Sequence, residues 1–152
     1  MRYIERILQP GETVTYTSTL HWIVYLPGLA VLAIAAACLT QTGGTAGPAP
    51  IWLMASASLA LVAAILLFGA WFRRWTTEID VTDRRIVYKR GFIWRHTVEM
   101  NMDKVESVDV DQSLLGRIFD YGDIRIRGTG SGIEPLRGID SPLDFRNHVT
   151  AR

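Results

Sequence analysis

The chain has 152 residues, of which 49% are hydrophobic, a formal net charge of +1 at pH 7 and a single cysteine. The balanced charge excludes the strongly basic surface of a nucleic-acid-binding protein. One cysteine excludes an intrachain disulfide and a cysteine-based metal site. The average hydrophobic content fits an ordinary globular domain, so the positions of the apolar residues decide the class of protein.

The first predicted element is a strand within the N-terminal segment 1–19. Val14 and Tyr16 alternate with threonines after a Pro10-Gly11 turn, which is the period of two that is typical of a strand. The segment is polar and has no basic start leading into a short apolar core, so we expect no cleaved signal peptide. We predict that this strand packs on or pairs with the domain that follows the apolar runs.

Two apolar runs follow, over residues 20–40 and 50–72, and neither contains Asp, Glu, Lys or Arg. Each run would form a helix of roughly 30 Å, which matches the hydrocarbon thickness of a bilayer. The alternative, a pair of buried core helices, would need a much larger soluble protein to cover it. We therefore predict a transmembrane hairpin over residues 20–72.

The flanking charges predict the direction of this hairpin. Arg2 and Arg6 precede the first run, Arg73 and Arg74 follow the second, and the connection 41–49 is short and uncharged. By the positive-inside rule both termini are cytoplasmic, in a multi-pass protein of the cell inner (plasma) membrane. Small residues in both runs favour close packing of the two helices, or of the hairpin against a neighbouring membrane protein.

Short alternating runs in residues 73–152 predict a mostly β cytoplasmic domain. Examples are 78–82, 86–89 and 123–127, each of which ends at turn residues. Five or six antiparallel strands in so short a stretch must cover their edges or curl into a barrel. We predict an antiparallel β-barrel.

A C-terminal helix is predicted to cover one opening of this barrel. Ser141 has the residue type of an N-cap and Pro142 that of a first helical position. Leu143, Phe145 and Val149 are the expected core contacts of the helix.

Several motifs occur in an order that resembles a known family. They are Pro10-Gly11-Glu12, His21, VTDRR at 81–85, KVESV at 104–108, QSLLGR at 112–117 and YGDIRI at 121–126. Together with two apolar spans, they resemble the bacterial membrane proteins with a pleckstrin-homology-like (PH-like) domain. The resemblance implies a bent β-barrel with a helix across one opening, and it implies no catalytic residue. The predicted fold class is membrane α+β: a two-helix transmembrane hairpin followed by a PH-like antiparallel β-barrel capped by a C-terminal helix.

Patterns typical of catalysis or of cofactor binding are weak. The glycine-rich stretch 128–132 follows a strand pattern but precedes no helical pattern, which favours a hairpin loop over a phosphate-binding loop. His21, His96 and His148 have no close spacing, and no nucleophile elbow is present. We predict no catalytic residue, no metal, no cofactor and no enzymatic activity.

Four arginines are candidate contacts for lipid headgroups. Arg73 and Arg74 adjoin the second span, where an anionic leaflet attracts cations. Arg84 and Arg85 lie on the first predicted β-hairpin, where an ordinary solvated face is the alternative.

Two functions remain open from the sequence. The leading prediction is a non-enzymatic membrane-anchored scaffold that self-associates or binds a membrane or cytoplasmic protein. The alternative is a module that senses anionic lipids at the cytoplasmic face of the membrane. The expected partners are membrane lipids together with further copies of the chain in a homo-oligomer or another membrane protein, such as a transporter or protease with this chain as accessory subunit. Nucleic acid is not an expected partner.

Overall fold

The computed structural model describes residues 4–41, 49–92, 96–130 and 132–151. The chain forms two compact units, of which one joins Met1–His21 to Arg73–Arg152 and the other is Trp22–Phe72. In chain order the elements are α1 (Ile4–Ile7), β1 (Val14–Ser18), α2 (Leu26–Thr40), α3 (Ala49–Thr76), β2 (Glu78–Thr82), β3 (Arg85–Arg90), β4 (His96–Asn101), β5 (Val105–Asp111), α4 (Leu114–Ile118), β6 (Tyr121–Gly128), β7 (Ile133–Asp140) and α5 (Pro142–Thr150).

The unit Trp22–Phe72 contains two apolar helices. A 3-10 turn over Trp22–Tyr25 leads into α2, so the α-helix begins later than the sequence predicted. The reason is Pro27, which lacks a backbone N–H and is tolerated in the first turn of a helix. By length and composition both helices can cross a membrane, and only 11% of each apolar window is buried. Such low burial disagrees with a pair of buried core helices.

The two helices approach closely at Gly28. A Cβ atom at this position would lie 2.7 Å from Cγ and Cδ2 of Leu67 on α3. Ala35 and Ala63 are also buried, as is the polar Ser56. The close helix contact that the small residues favour is therefore present within the hairpin itself.

The strands of the other unit form two antiparallel sheets, with the orders β1-β2-β3-β4 and β5-β6-β7. β1 pairs with β2, with Thr17 opposite Asp80 and Ser18 opposite Ile79. The predicted pairing of the N-terminal strand with the domain is therefore confirmed. In the sequence, the hairpin is inserted between two adjacent strands of one sheet.

The residues after β1 carry the chain from the first sheet to the second. The N–H of Asp140 donates to the carbonyl of Thr19 (3.1 Å), and the N–H of His21 donates to the carbonyl of Gly138 (2.8 Å). The two sheets are thus joined on the β1–β7 side. Within the described residues no ladder joins β4 to β5, because a 3-10 turn over Met102–Lys104 separates them. The predicted closed barrel is not present in this part of the chain.

Helix α5 packs on the core through one face. Phe145 and Val149 are buried, whereas Leu143, a predicted core contact, is 42% exposed because it lies on another side of the helix. Ser141 and Pro142 occupy the predicted N-cap and first helical positions, but Ser141 adopts a left-handed conformation and its side chain makes no capping hydrogen bond. Its hydroxyl instead donates to Oδ2 of Asp120 at 2.9 Å. The core that α5 joins includes Leu20, Ile79, Val81, Ile86, Ile124, Ile126 and Ile139.

Candidate functional site

The chain leaves and re-enters the β domain at one end of the first sheet. Ser18, the last residue of β1, pairs with Ile79 near the start of β2. Glu78, the first residue of β2, pairs with Lys89 near the end of β3. We call this part of the domain, comprising residues 18–21, 73–79 and 89–92, the attachment end.

The four arginines predicted to bind lipid lie beyond opposite ends of β2. Arg73 and Arg74 occupy the last turn of α3, before β2 begins. Arg84 lies in the turn after β2, and Arg85 begins β3. The strand between the two pairs is about 13 Å long at roughly 3.3 Å per residue, so one headgroup cannot contact both pairs. Only Arg73 and Arg74 belong to the attachment end.

Arg85 is held by a partly buried network of hydrogen bonds. Its Nε and Nη2 atoms donate to the two carboxylate oxygens of Glu12, each at 2.9 Å. Nη1 donates to Oε2 of Glu99 at 2.9 Å, and Nη2 also donates to the carbonyl of Ile7 at 2.7 Å. The Arg85 side chain is 13% exposed. Every guanidinium nitrogen is thus engaged within the domain, and a lipid headgroup would have to displace these partners.

Glu12 completes this network from the segment before the hairpin. The hydroxyl of Thr82 donates to its Oε1 (2.7 Å), and the N–H of Gln9 donates to its Oε2 (2.9 Å). Burial alone would raise the pKa of Glu12, but these hydrogen bonds and the charge of Arg85 outweigh burial and lower the pKa. Sequence reasoning placed Glu12 in a motif without a partner, because the sheet register that brings Arg85 to it is not local information.

Arg84 has a weaker environment than its neighbour. Its side chain is 53% exposed, and its Nε lies 4.0 Å from Oδ2 of Asp83. An exposed pair at this distance contributes little to stability. Arg84 is accessible to a ligand, but it lies at the end of the sheet away from the attachment end.

The attachment end carries an exposed pair of aromatic rings. Trp75 is 58% exposed and Phe92 55% exposed, and their ring centroids are 5.6 Å apart. Within the described residues, neither Arg73, Arg74 nor Arg90 forms an ion pair with a carboxylate. An amphipathic Trp ring next to unneutralised cations is typical of a surface at the level of lipid headgroups, and Phe92 adds apolar surface beside it. Sequence analysis missed Phe92, since only folding brings it to Trp75.

The histidines lie in separate environments. His21 is buried and stacks on Tyr121 with ring centroids 5.4 Å apart, whereas His148 stacks on Tyr16 at 4.5 Å. His96 is an exposed residue at the start of β4. In the described ranges, no group of three or more His, Cys, Asp or Glu residues is placed to hold a metal ion. The glycine-rich stretch after β6 leads into strand β7, as expected for a hairpin connection.

A comparison with protein families identifies the domain. The family model for the bacterial PH domain matches residues 23–152. The chain belongs to the bacterial PH domain family. The matched region of this bacterial PH domain starts after β1, although the structure includes β1 in the first sheet. Two antiparallel sheets and a C-terminal helix fit the PH-like fold that the sequence predicted. No match was found among curated proteins or among solved structures.

Membership of this family indicates a binding function. PH-like domains are generally non-catalytic modules that bind proteins or lipids. For the bacterial PH domain described above, the chemistry of the attachment end is therefore best read as that of a binding surface. Its aromatic rings and arginines have the composition to contact lipid, and elsewhere in the described chain the outer edges of β4 and β5 have backbone groups that can contact protein.

Proposed function

We propose that this bacterial PH domain is a membrane-anchored interaction module whose attachment end contacts anionic lipid headgroups. In this proposal α2 and α3 cross the inner membrane and both termini are cytoplasmic. The observation that carries it is the exposed Trp75–Phe92 pair, which lies with unneutralised arginines at the end of the sheet where two apolar helices join the domain.

The expected strength of the contact follows from its charges. Each Lys or Arg near an anionic leaflet gains about 1 kcal/mol, so Arg73, Arg74 and Arg90 together contribute about 3 kcal/mol. This attraction decays over a Debye length of about 8 Å at physiological salt, which limits it to the attachment end. The proposal therefore keeps Arg73 and Arg74 and adds Arg90. Lipid contacts of Arg84 and Arg85 stay predictions.

The test uses the full chain, because a fragment that starts at residue 76 would lack β1. Native mass spectrometry of protein released from discs of mixed neutral and anionic lipid counts the lipids that remain bound. We expect enrichment of anionic lipid, which is lost in an Arg73→Gln/Arg74→Gln/Arg90→Gln variant. The matched control is Arg125→Gln/Arg127→Gln, which changes two exposed arginines of β6 that pair with carboxylates. Equal anionic lipid retention in all three proteins would refute the lipid contact.

A second candidate function is protein binding or self-association through the open strand edges. In the described part of the chain, β4 and β5 each have a neighbouring strand on one side only. An open edge can pair with a strand of another chain, which suits a homo-oligomeric scaffold or an accessory subunit. The subunit count from the same spectra tests this function. A defined multimer with slower amide exchange in β4 or β5 than the monomer supports it, and a monomer without bound protein contradicts it.

A further inference from the structure

Helix α4 presents an apolar surface outside the core of the domain. Leu114 is 79% exposed, Leu115 59%, Ile118 73% and Phe119 45%. Their spacing of i, i+1, i+4 and i+5 places them along one side of a helix. Exposed apolar patches of this kind on folded proteins mark interaction sites. We call these four residues, together with Arg117, the α4 patch.

The patch is held in place by bonds on the opposite side of the helix. Ser113 caps the helix, since its Oγ accepts a hydrogen bond from the N–H of Gly116 at 3.0 Å. Gly116 is buried, and a Cβ atom there would lie 2.6 Å from the carbonyl oxygen of Tyr121. Nε2 of Gln112 donates to the same carbonyl at 3.2 Å. These contacts hold the backbone of α4 against the start of β6, so the four apolar side chains stay on its exposed side.

Tyr121 connects this turn to the attachment end. Its carbonyl accepts the hydrogen bond from Gln112, which precedes α4, and its ring stacks on the ring of His21 with centroids 5.4 Å apart. His21 is the last residue of the β domain before the apolar unit Trp22–Phe72. Tyr121 thus contacts both the turn that carries α4 and His21, the residue that precedes the apolar unit in the sequence.

We propose that α4 lies in the interfacial layer of the membrane, as a second bilayer contact of the domain. This inference rests on the proposed membrane anchoring. It adds a lipid contact at a surface separate from Arg73, Arg74 and Arg90. Because the domain joins the hairpin directly at His21, a surface next to His21 stays within reach of the headgroup region. Apolar helical surfaces of this type enter the headgroup and acyl boundary by about 5–10 Å.

The charge of the α4 patch agrees with a contact to anionic lipid. Helix α4 has no acidic residue, and Arg117 in its last turn forms no ion pair with a carboxylate of the described chain. A cation beside apolar side chains suits the boundary between anionic headgroups and acyl chains. A second copy of the chain fits the α4 patch less well. A stable protein interface buries about 800 Å² on each partner, whereas four side chains provide an area of only a few hundred Å².

Spin labels on the full chain in lipid discs test the position of α4. In a Cys38→Ala background, single labels replace Ile118 in the patch, Thr129 in the β6–β7 turn and Ile65 in α3. Thr129 is the matched exposed control, because it follows β6 and lies about 26 Å along the strand direction from Tyr121 at roughly 3.3 Å per residue. Each label is scored by its collisions with oxygen, which concentrates in lipid, and with a water-soluble nickel chelate.

We expect the label at position 118 to collide mainly with oxygen and the label at position 129 mainly with the chelate. If position 118 behaves like position 129 while position 65 is in lipid, the α4 inference is wrong and the membrane anchoring stands. Protection of position 118 from both reagents would assign the patch to a protein partner and also overturn the inference. A label at position 65 that meets water would instead refute the anchoring itself. Unchanged amide exchange in β6 confirms that each labelled protein is folded.

Discussion

Glu12 and Arg85 form a bidentate ion pair between the segment before the apolar hairpin and the segment after it. Both nitrogen–oxygen distances are 2.9 Å, and the two residues are 73 positions apart in the sequence. The Glu12 side chain is 1% exposed. The pair therefore fastens the start of β1 to the β2–β3 turn independently of the hairpin.

Replacing the charge of Glu12 is expected to destabilise the β domain. A Glu12→Gln variant leaves the mostly buried Arg85 without its main counter-charge, and breaking an ion pair with one fully buried partner costs up to about 3 kcal/mol. We expect faster amide exchange in β1 and β2 of the full chain in detergent micelles. Glu106→Gln, at an exposed position of β5, is the control and should leave exchange unchanged. A Glu12→Gln protein with exchange like that of the control would show that the pair contributes no stability.

The same carboxylate makes the domain sensitive to acid. The folded pKa of Glu12 lies below the ordinary value of 4.5, so the folded state favours the ionised form. Its contribution is complete above the unfolded pKa and is lost as pH falls through the folded pKa. Thermal unfolding followed by near-UV circular dichroism should give a melting temperature that falls below about pH 4.5. The fall should be smaller in Glu12→Gln, and an equal fall in both proteins would assign it to other groups.

Tyr16 is expected to make the domain sensitive to alkali. Burial raises the pKa of its phenol above 10.0, and the charges of Asp144, Asp140 and Asp120 raise it further. The folded state therefore favours the neutral phenol, whose contribution is complete below the unfolded pKa and is lost as pH rises through the folded pKa. Tyr16→Phe removes this titration and keeps the ring that contacts His148. The variant should lose less thermal stability than the wild type above about pH 10, and identical alkaline profiles would contradict the assignment.

Gly28 is expected to tolerate no larger residue in the hairpin. The added Cβ of Gly28→Ala would meet Leu67 at 2.7 Å, so the helices must separate, at a cost of about 1–3 kcal/mol. The control is Gly69→Ala on α3, where nothing lies within 4 Å of the added atom. Helix separation is measured by disulfide cross-linking between single cysteines placed on α2 and α3 in a Cys38→Ala background. Equal cross-linking in the two glycine variants would disprove the close contact.

Local patterns predicted the elements whose structure depends on nearby residues. Alternation predicted β1 and most strands of the domain, and unbroken apolar runs predicted α2 and α3. Even the pairing of β1 with the domain followed, because both flanks of a hairpin emerge at the same side. The apolar run did not predict where α2 starts, since Pro27 lies in the first turn of the α-helix and a 3-10 turn precedes it.

The binding surfaces were harder to predict because they depend on sheet register. The sequence predicted Arg73 and Arg74 beside the second span and Arg84 and Arg85 on the first β-hairpin, but only the fold shows that the two pairs lie beyond opposite ends of β2. Phe92 joins Trp75 only after β2 and β3 have paired. The residues of helix α4 belong to a motif in the sequence, but its two leucines and its isoleucine have the residue types of a core. Only the structure shows that Gly116 lies on the buried side of the helix and that these three side chains are exposed.

The insertion of the hairpin between β1 and β2 links the folding of the domain to the geometry of synthesis. β1 is made first and must wait several seconds, at about 5–20 residues per second, until β2 emerges. If the two helices cross a membrane, the strands can meet only when both ends of the hairpin are on the same side. A chain inserted with one helix missing or reversed would leave β1 and β2 in different compartments, with Ile79 and Val81 unburied. Completion of the first sheet therefore requires both ends of the hairpin to be on the same side, and a chain with the two ends apart would leave the edges of β1 and β2 unpaired.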